Sequence, residues 1–337
     1  MKAAIRSRYG PPEDLEVKDV PTPSPGDREM LIRIRACTVN RTDCSNLTGF
    51  PFVVRFFTGF PRPRRDSPGS DFAGIVEETG RLVTRFKTGD RVWGFHDHGL
   101  GSHAQFNTVP ESTPMAKIPE GFTFAEAASC AEGAHYAFNF INKLELHAGQ
   151  KVLLNGATGA IGSAGLQLLK HTGLHVTAVC GTENIGKIKA LGADRVVDYK
   201  KEDFTRDTER YHFIFDAVGK STFFKCKHLL LPGGIYISSE LGPYGQNIYM
   251  TILGAFSSGK KVKFPLPVNI QHSIDQMLAL TAENAFKPLI DRTYSLDNIQ
   301  DAFRYVASGE KIGNVVLAPF ADADEIANPA PDAETTE

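Results

Sequence analysis

Glycines at 156, 159 and 162 stand in the run Lys151-Val152-Leu153-Leu154-Asn155-Gly156-Ala157-Thr158-Gly159-Ala160-Ile161-Gly162. The first residues read as a buried strand, and a helix follows the last glycines directly. A strand that turns through glycine into a helix aims backbone N–H groups and the positive helix end at one point, which suits a pyrophosphate. A side chain at Gly159 would obstruct that approach, and Gly162 lets the helix pack closely on the sheet. Glycine triplets alone are weak evidence. The strand before and the helix after are what separate a dinucleotide motif from a plain tight turn.

In such a unit the end of the second strand bears on the choice between NAD and NADP, because an acidic residue there hydrogen-bonds the ribose 2′-hydroxyl. Here Val176-Thr177-Ala178-Val179-Cys180 runs into Gly181-Thr182-Glu183-Asn184, and the strand end is not acidic. Thr182, Asn184 and Lys187 suit a 2′-phosphate through hydrogen bonds and charge, so NADPH is expected over NADH. An inward-facing Glu183 would oppose that phosphate, and a solvated helix face is the plainer setting for Lys187.

Other clusters carry chemistry of their own. Glu132, His135 and Tyr136 share a face if they lie on a helix. A carboxylate beside His135 favours the imidazolium, a usable proton donor, and Tyr136 is suited to donate to an oxyanion. Simple packing is the alternative for both rings. His96-Asp97-His98-Gly99-Leu100-Gly101-Ser102-His103 holds three imidazoles at a spacing that can bind a metal, but a polar loop is the plainer reading and no metal is expected. Phe50, Phe52, Phe56, Phe57 and Phe60 crowd one short stretch and suit a flat conjugated molecule, or a core. Arg62-Pro63-Arg64-Arg65 reads as a solvated loop, or as a means of steering an anionic substrate.

These groups need a scaffold, and 337 residues suggest roughly two domains. Residues 1–120 are rich in proline, glycine and short β-type runs such as Leu31–Ala36 and Arg91–Phe95, which suggests a β-rich domain. Phe124 to Leu144 reads as a helix pair. Strands are then expected at Lys151–Asn155, His175–Cys180, Arg195–Asp198, Phe213–Ala217, Ile235–Ser239 and Lys261–Leu266. Helices at Ala160–His171, Asn184–Leu191 and Ser221–Leu231 alternate with them, so the fold class is α/β with a parallel sheet covered on both faces. The stretch Asn269–Ala318 adds helices near 270–285 and 297–308 and strands at Leu289–Arg292 and Asn314–Leu317.

Composition excludes several classes. Hydrophobic residues at 42% and charged residues at 23% make a globular chain, too apolar for disorder. With 37 Lys+Arg against 39 Asp+Glu, nucleic-acid binding through bulk charge is not expected. No apolar run approaches the ~18 residues of a membrane span, and the first residues do not read as a secretion signal. Five cysteines without a Cys-x-x-Cys pair argue against a disulfide scaffold and for the cytoplasm. Residues 319–337 carry six acids and no Lys or Arg, and read as a flexible acidic tail.

Taken together, the chain resembles the medium-chain dehydrogenase/reductase superfamily, on its zinc-independent quinone oxidoreductase and alcohol-dehydrogenase-like branch. The resemblance rests on Tyr9-Gly10-Pro11-Pro12, Thr38-Val39-Asn40-Arg41-Thr42-Asp43, Gly69-Ser70-Asp71-Phe72-Ala73-Gly74, Gly89-Asp90-Arg91-Val92 and the glycine turn. Leu191-Gly192-Ala193-Asp194, Phe215-Asp216-Ala217-Val218-Gly219 and Gly309–Val316 extend it. It implies a GroES-like catalytic domain (1–123 and 269–318) and a Rossmann cofactor domain (124–268), with a cleft between them.

The resemblance also implies roles. Zinc members carry ligands near Asn40, at Gly69-Ser70-Asp71 and at Cys130 or Glu132; here an amide and a lost imidazole leave too few donors for a catalytic zinc. Asn40 would orient cofactor or substrate by its amide, and Asp43 would hold that loop or relay a proton. Glu132, His135 and Tyr136 would begin a helix facing the nicotinamide, although relatives carry a small hydroxyl residue near position 136. Tyr199 would flank the 2′-phosphate, Val218 and Gly219 would pass the adenine ribose, and Leu241 would follow on the next loop. Phe264 and Leu266 would approach the nicotinamide, Asn314 would make a weaker contact, and Phe50, Phe52 and Phe57 would border the substrate. The expected activity is NADPH-dependent reduction of a quinone or an α,β-unsaturated carbonyl by a homodimer. An alcohol or aldehyde dehydrogenase, or a non-catalytic NADPH-binding protein, are the alternatives.

Overall fold

The computed structural model describes residues 1–254 and 259–320, so the expected acidic tail lies almost wholly outside the described residues. The chain folds as two compact units. The first comprises Met1–Glu132, Ile270–Leu278 and the segment from Ile290 onward, and the second Gly133–Asn269 and Ala279–Leu289.

The first unit begins with β1 (Lys2–Ile5), β2 (Glu16–Asp19), β3 (Glu29–Val39), α1 (Arg41–Thr48) and α2 (Val54–Thr58). It continues through β4 (Asp71–Thr79), β5 (Arg91–Phe95), β6 (Phe106–Pro110), β7 (Met115–Lys117) and α3 (Phe124–Ser129). The long strand β3 organises it. β4 pairs antiparallel along Met30–Ala36 on one side, while β6 pairs with Glu29–Arg33. The run Leu31–Ala36 predicted as a strand is the middle of β3, and Arg91–Phe95 is β5 as expected.

The second unit follows with α4 (Glu132–Ile141), β8 (Lys151–Asn155), α5 (Ala160–His171), β9 (His175–Cys180), α6 (Ile185–Ala190) and β10 (Arg195–Asp198). Then come β11 (Tyr211–Asp216), α7 (Phe223–Cys226), β12 (Leu230–Ser238), α8 (Gln246–Gly254) and β13 (Lys261–Lys263). Its six strands lie in the order β10-β9-β8-β11-β12-β13, all parallel. In chain order that is 3-2-1-4-5-6, the doubly wound dinucleotide-binding arrangement. Successive residues feed opposite faces: Val152 and Leu154 join one apolar cluster, and Leu153 the other. Both faces are therefore buried, as a parallel sheet requires.

The chain ends with α9 (Ile270–Ala282), β14 (Ile290–Ser295), α10 (Ile299–Ser308) and β15 (Asn314–Ala318). β15 pairs antiparallel with Cys37–Val39, beyond the stretch of β3 that β6 occupies, and β14 pairs parallel with β15. α10 buries Ile299, Ala302, Phe303 and Val306, one stripe at helical spacing, in the core of the first unit.

Two expected elements end elsewhere, and one helix is new. The helix predicted over Ser221–Leu231 is only the short α7 followed by a 3₁₀ turn at Lys227–Leu229, because Leu230 already belongs to β12. The strand predicted to Leu266 stops at Lys263, before Pro265, which has no N–H to give the ladder. α8 was not anticipated.

The β8–α5 crossing explains one glycine and leaves another spare. A Cβ at Gly162 would sit 2.0 Å from the Gly156 carbonyl oxygen, whereas one at Gly165 would meet only the Ala137 methyl at 3.9 Å. Alanine favours a helix interior over glycine by about 1 kcal/mol, but a clash with backbone outweighs that. Gly162→Ala is therefore expected to lose about 1–3 kcal/mol and Gly165→Ala to gain up to about 1 kcal/mol. Urea denaturation followed by circular dichroism reads both signs; a Gly162→Ala protein as stable as wild type would contradict the packing.

Candidate functional site

In the second unit, the predicted cofactor residues from Gly156 to Leu266 lie on the segments that leave the carboxyl ends of the parallel strands, where open α/β sheets bind ligands. Gly156 has φ +82°, and a Cβ there would strike Val218 Cγ1 at 2.3 Å. Gly159 is the residue before α5, with extended backbone. A Cβ on it would find nothing nearer than the Gly156 oxygen at 3.8 Å, so the glycine faces open space. The first-turn N–H groups of Ala160, Ile161 and Gly162 have no acceptor one turn earlier, as in any helix. With no acidic side chain in that turn, a bare, electropositive cradle results. The open side of Gly159 would admit a pyrophosphate, and the residues present fit a dinucleotide.

The neighbouring exit is locked by Asp216 at the end of β11. Its carboxylate accepts hydrogen bonds from Gly219 N and Asn155 Nδ2 at 3.0 Å and from Val218 N at 3.3 Å. Its other oxygen accepts from Ser221 N and the Tyr236 hydroxyl, each at 3.0 Å. Sequence reasoning met Asp216 only as part of a motif. Five donors converging on one buried carboxylate hold Val218 over the glycine turn.

At the other end of the sheet, the Thr182 hydroxyl donates to Asp198 at 2.6 Å, so its proton is used within the protein. Glu183 does not stand unopposed: it pairs with Lys200 at 2.9 Å. Asn184 is buried, Lys187 is exposed, and Tyr199, the residue before Lys200, is 56% exposed. Lys200 and Asp198 were the residues sequence reasoning missed here; the Tyr-Lys-Lys run was the available signal. Leu241 and Leu266 are exposed and Phe264 half-buried at the ends beyond β12 and β13.

On α4, His135 is 2% exposed and its ring lies 5.6 Å from that of Tyr136 in a T-shaped arrangement. The Asn139 amide donates to the His135 carbonyl at 2.8 Å. Burial pushes the His135 pKa down to about 4, so it is a neutral imidazole and not the imidazolium expected from sequence. Gly133 lets α4 reach the start of α5, since a Cβ there would lie 2.9 Å from that of Ala160.

The first unit holds a second, buried polar cluster. Asn40 caps α1: its Oδ1 accepts from Asp43 N at 2.8 Å, while Asp43 Oδ2 accepts from Asn40 N at 3.2 Å. The Asn40 Nδ2 group donates to Ser70 Oγ at 3.0 Å and to Thr38 Oγ1 and Asp71 Oδ2 at 3.3 Å. Asp71 also accepts from Thr38 N at 2.6 Å and from the Thr38 hydroxyl. The expectation that the Asn40 amide orients a ligand is corrected: both ends of the amide are used to tie α1 to β3 and β4. The partners lie some thirty residues apart, which is why the sequence did not show them.

Asp43 lies fully buried beside His103, whose Nε2 is 3.0 Å from the Thr38 carbonyl oxygen and 3.8 Å from Asp43 Oδ2. Burial, then the neighbouring Asp71 charge, pushes Asp43 well above the usual carboxylate range. Burial pushes Asp71 up to about 7 and His103 down to about 4. Glu132 accepts from the Thr42 hydroxyl at 3.0 Å and is raised by burial against the pull of Lys311. Asn314, at the start of β15, is also buried in this unit.

The three imidazoles of the 96–103 loop do not converge. His103 packs against Phe303, whereas His96 Nδ1 accepts from His98 N at 3.2 Å. Among the described residues no group of three or more His, Cys, Asp or Glu is arranged to hold a metal. Phe50, Phe52 and Phe57 are 74%, 53% and 53% exposed, so core packing is not their role.

Residues 26–120 match the alcohol dehydrogenase GroES-like domain family, and residues 191–317 the zinc-binding dehydrogenase family. A chloroplastic quinone-oxidoreductase homolog of Spinacia oleracea is 30% identical over 331 residues, covering 95% of this chain and 98% of the relative. The chloroplastic NADPH-dependent alkenal/one oxidoreductase of Arabidopsis thaliana is 26% identical, over 95% of this chain and 80% of that protein. The solved quinone oxidoreductase of Coxiella burnetii superposes with a TM-score of 0.83 at 26% identity, over 95% of this chain and 99% of that one.

The Asp71 carboxyl gives this unit a pH dependence. Unfolded, the group ionises near 3.8; folded, near about 7. The folded state therefore holds an extra proton in between, and stability from the neutral acid is present below about pH 4 and lost as pH rises to about 7. Relative to Asp71→Asn, which stays neutral, wild type is expected to lose stability across that window and to level off above it. Thermal unfolding at stepped pH checks this; a flat difference would contradict it.

Proposed function

Because the chain belongs to the medium-chain dehydrogenase/reductase superfamily, on its zinc-independent quinone and enone oxidoreductase branch, we propose that it uses NADPH to reduce a quinone or an α,β-unsaturated carbonyl. The observation that carries this reading is the open glycine cradle at the start of α5. When bound, NADPH would supply a hydride, one proton with two electrons, to the acceptor, and a proton drawn ultimately from water would complete the reduction. The chain's residues bind, orient and donate.

The N–H groups of Ala160 and Ile161 would hold the pyrophosphate, and the missing side chain of Gly159 would admit it. Asn184, Lys187, Lys200 and Tyr199 would hold the adenosine end, where the Glu183–Lys200 pair offsets the acid that would otherwise repel a 2′-phosphate. Tyr136 donates its hydroxyl hydrogen to the oxygen on which negative charge develops. His135, neutral, donates or accepts a hydrogen bond and is not the acid that protonates the acceptor.

Zinc has no part in this chemistry. The side chains of Asn40, Ser70 and Asp71 satisfy one another by hydrogen bonds, and the amide turns its N–H₂ group, which has no lone pair to offer a cation, toward the other two. Asp43 holds the start of α1 in place.

A homodimer completes the reading. β13 is the edge of its sheet, and α8 beside it shows Ile248, Tyr249, Ile252 and Leu253 at 45–61% exposure. A second copy covering that stripe removes both the edge and the apolar surface from water. The five thiols, none in a disulfide, suit a reducing compartment.

Purified protein dialysed against a chelator is expected to oxidise NADPH with quinones, enals or enones at an unchanged rate. It should prefer NADPH to NADH by about tenfold, the worth of one charge-assisted contact. Light scattering on the same sample should give twice the 36.8 kDa chain mass. Aldehyde turnover that rises with zinc and disappears with chelator would make it an alcohol dehydrogenase, and tight NADPH binding without turnover would make it a binding protein.

A further inference from the structure

We infer that a cavity in the first unit binds an oxyanion, and that in the working enzyme this is a carboxylate carried by the substrate. The second half rests on the reductase reading; the first does not. The cavity has a volume of about 390 Å³, within the range of small-molecule sites. Three arginines, Arg6, Arg64 and Arg65, line it together with His96, His98 and Phe57, and none of its lining residues is acidic.

The positive charge here is built in. Arg6 is 4% exposed. One terminal nitrogen donates to the Asn46 carbonyl oxygen, and its guanidinium lies 5.6 Å from the Tyr9 ring, but its Nε–H has no acceptor. That Nε–H is itself closed off from the cavity, so a bound anion would act on Arg6 through the charge of its buried guanidinium, offsetting part of the cost of burying it. Asp43 and Asp66 act on Arg6 electrostatically but do not line the cavity. Arg64 and Arg65 are exposed and, among the described residues, make no ion pair.

His96 adds a donor of fixed direction. Its Nδ1 accepts the His98 N–H, so in the neutral ring the hydrogen sits on Nε2. Phe57 supplies the apolar wall. It stacks on His98 with ring centroids 5.5 Å apart and planes 16° from parallel. A cationic end and a flat aromatic wall in one cavity fit a small conjugated molecule that ends in a carboxylate.

The test uses trans-4-oxo-2-pentenoate, its methyl ester and the saturated acid 4-oxopentanoate. The acid and the ester present the same enone with and without a charge. The acid is expected to be reduced with a KM about tenfold lower, and Arg64→Gln with Arg65→Gln to lower the acid-over-ester preference about tenfold. Independently of turnover, 4-oxopentanoate should bind the cofactor-free protein and raise the His96 pKa in an NMR titration, against the depression that burial, His98 and Arg65 impose. That effect should vanish in the double variant. Equal use of acid and ester would overturn the substrate assignment. Absence of 4-oxopentanoate binding would overturn the anion site itself. Binding of 4-oxopentanoate with no reduction of either enone would leave the anion site standing and remove the reductase reading.

Discussion

The whole second unit turns on how closely α5 can approach the end of β8. Gly162 sits where any side chain would press into the Gly156 carbonyl, and Gly156 itself sits under Val218 with a backbone conformation that suits glycine. That contact fixes the helix axis against the strand, and so fixes where the first-turn N–H groups converge. Gly159 then leaves the convergence point open. Asp216, holding Val218 and Gly219 from the next strand, closes the other side of the turn. The affinity for an anionic cofactor is thus a consequence of packing: the same glycines that permit the helix to approach also clear the ground in front of it.

The first unit works by a different principle. Its buried polar cluster pairs largely with itself, with Asn40 bridging α1, β3 and β4 and with Asp71 accepting from Thr38 and Asn40, while Asp43 Oδ1 and His103 Nδ1 find no partner among the described residues. Such a network is costly to break, because each member lost leaves a buried partner unmet. It makes the loop from β3 into α1 rigid. In the arginine-lined cavity, by contrast, Arg64 and Arg65 make no ion pair among the described residues and no lining residue is acidic, and that contrast is what marks it as a place for something other than protein.

Local chemistry was legible in the sequence. α5 starts and ends where the glycine turn and the apolar pattern put it, and β8, β9 and β10 have their predicted bounds. Six parallel strands followed from alternation alone. What the sequence hid was distance and burial. Asn40 looked like a free amide because Ser70 and Asp71 are far along the chain. His135 looked like an imidazolium because a neighbouring acid was visible in the pattern and the loss of water around the ring was not. α7 looked longer than it is because Leu229 and Leu230 continue an apolar pattern while the backbone passes into β12. The basic run Arg62–Arg65 looked like ordinary surface until Arg6, more than fifty residues away, was found lining the same cavity.

Amide hydrogen exchange gives the most direct view of the central contact. With saturating NADPH, the amides of Ala160, Ile161 and Gly162 should exchange markedly more slowly than in the free protein, because they would then donate to the pyrophosphate instead of water. Protection confined to other segments, with these three amides unchanged, would contradict the account.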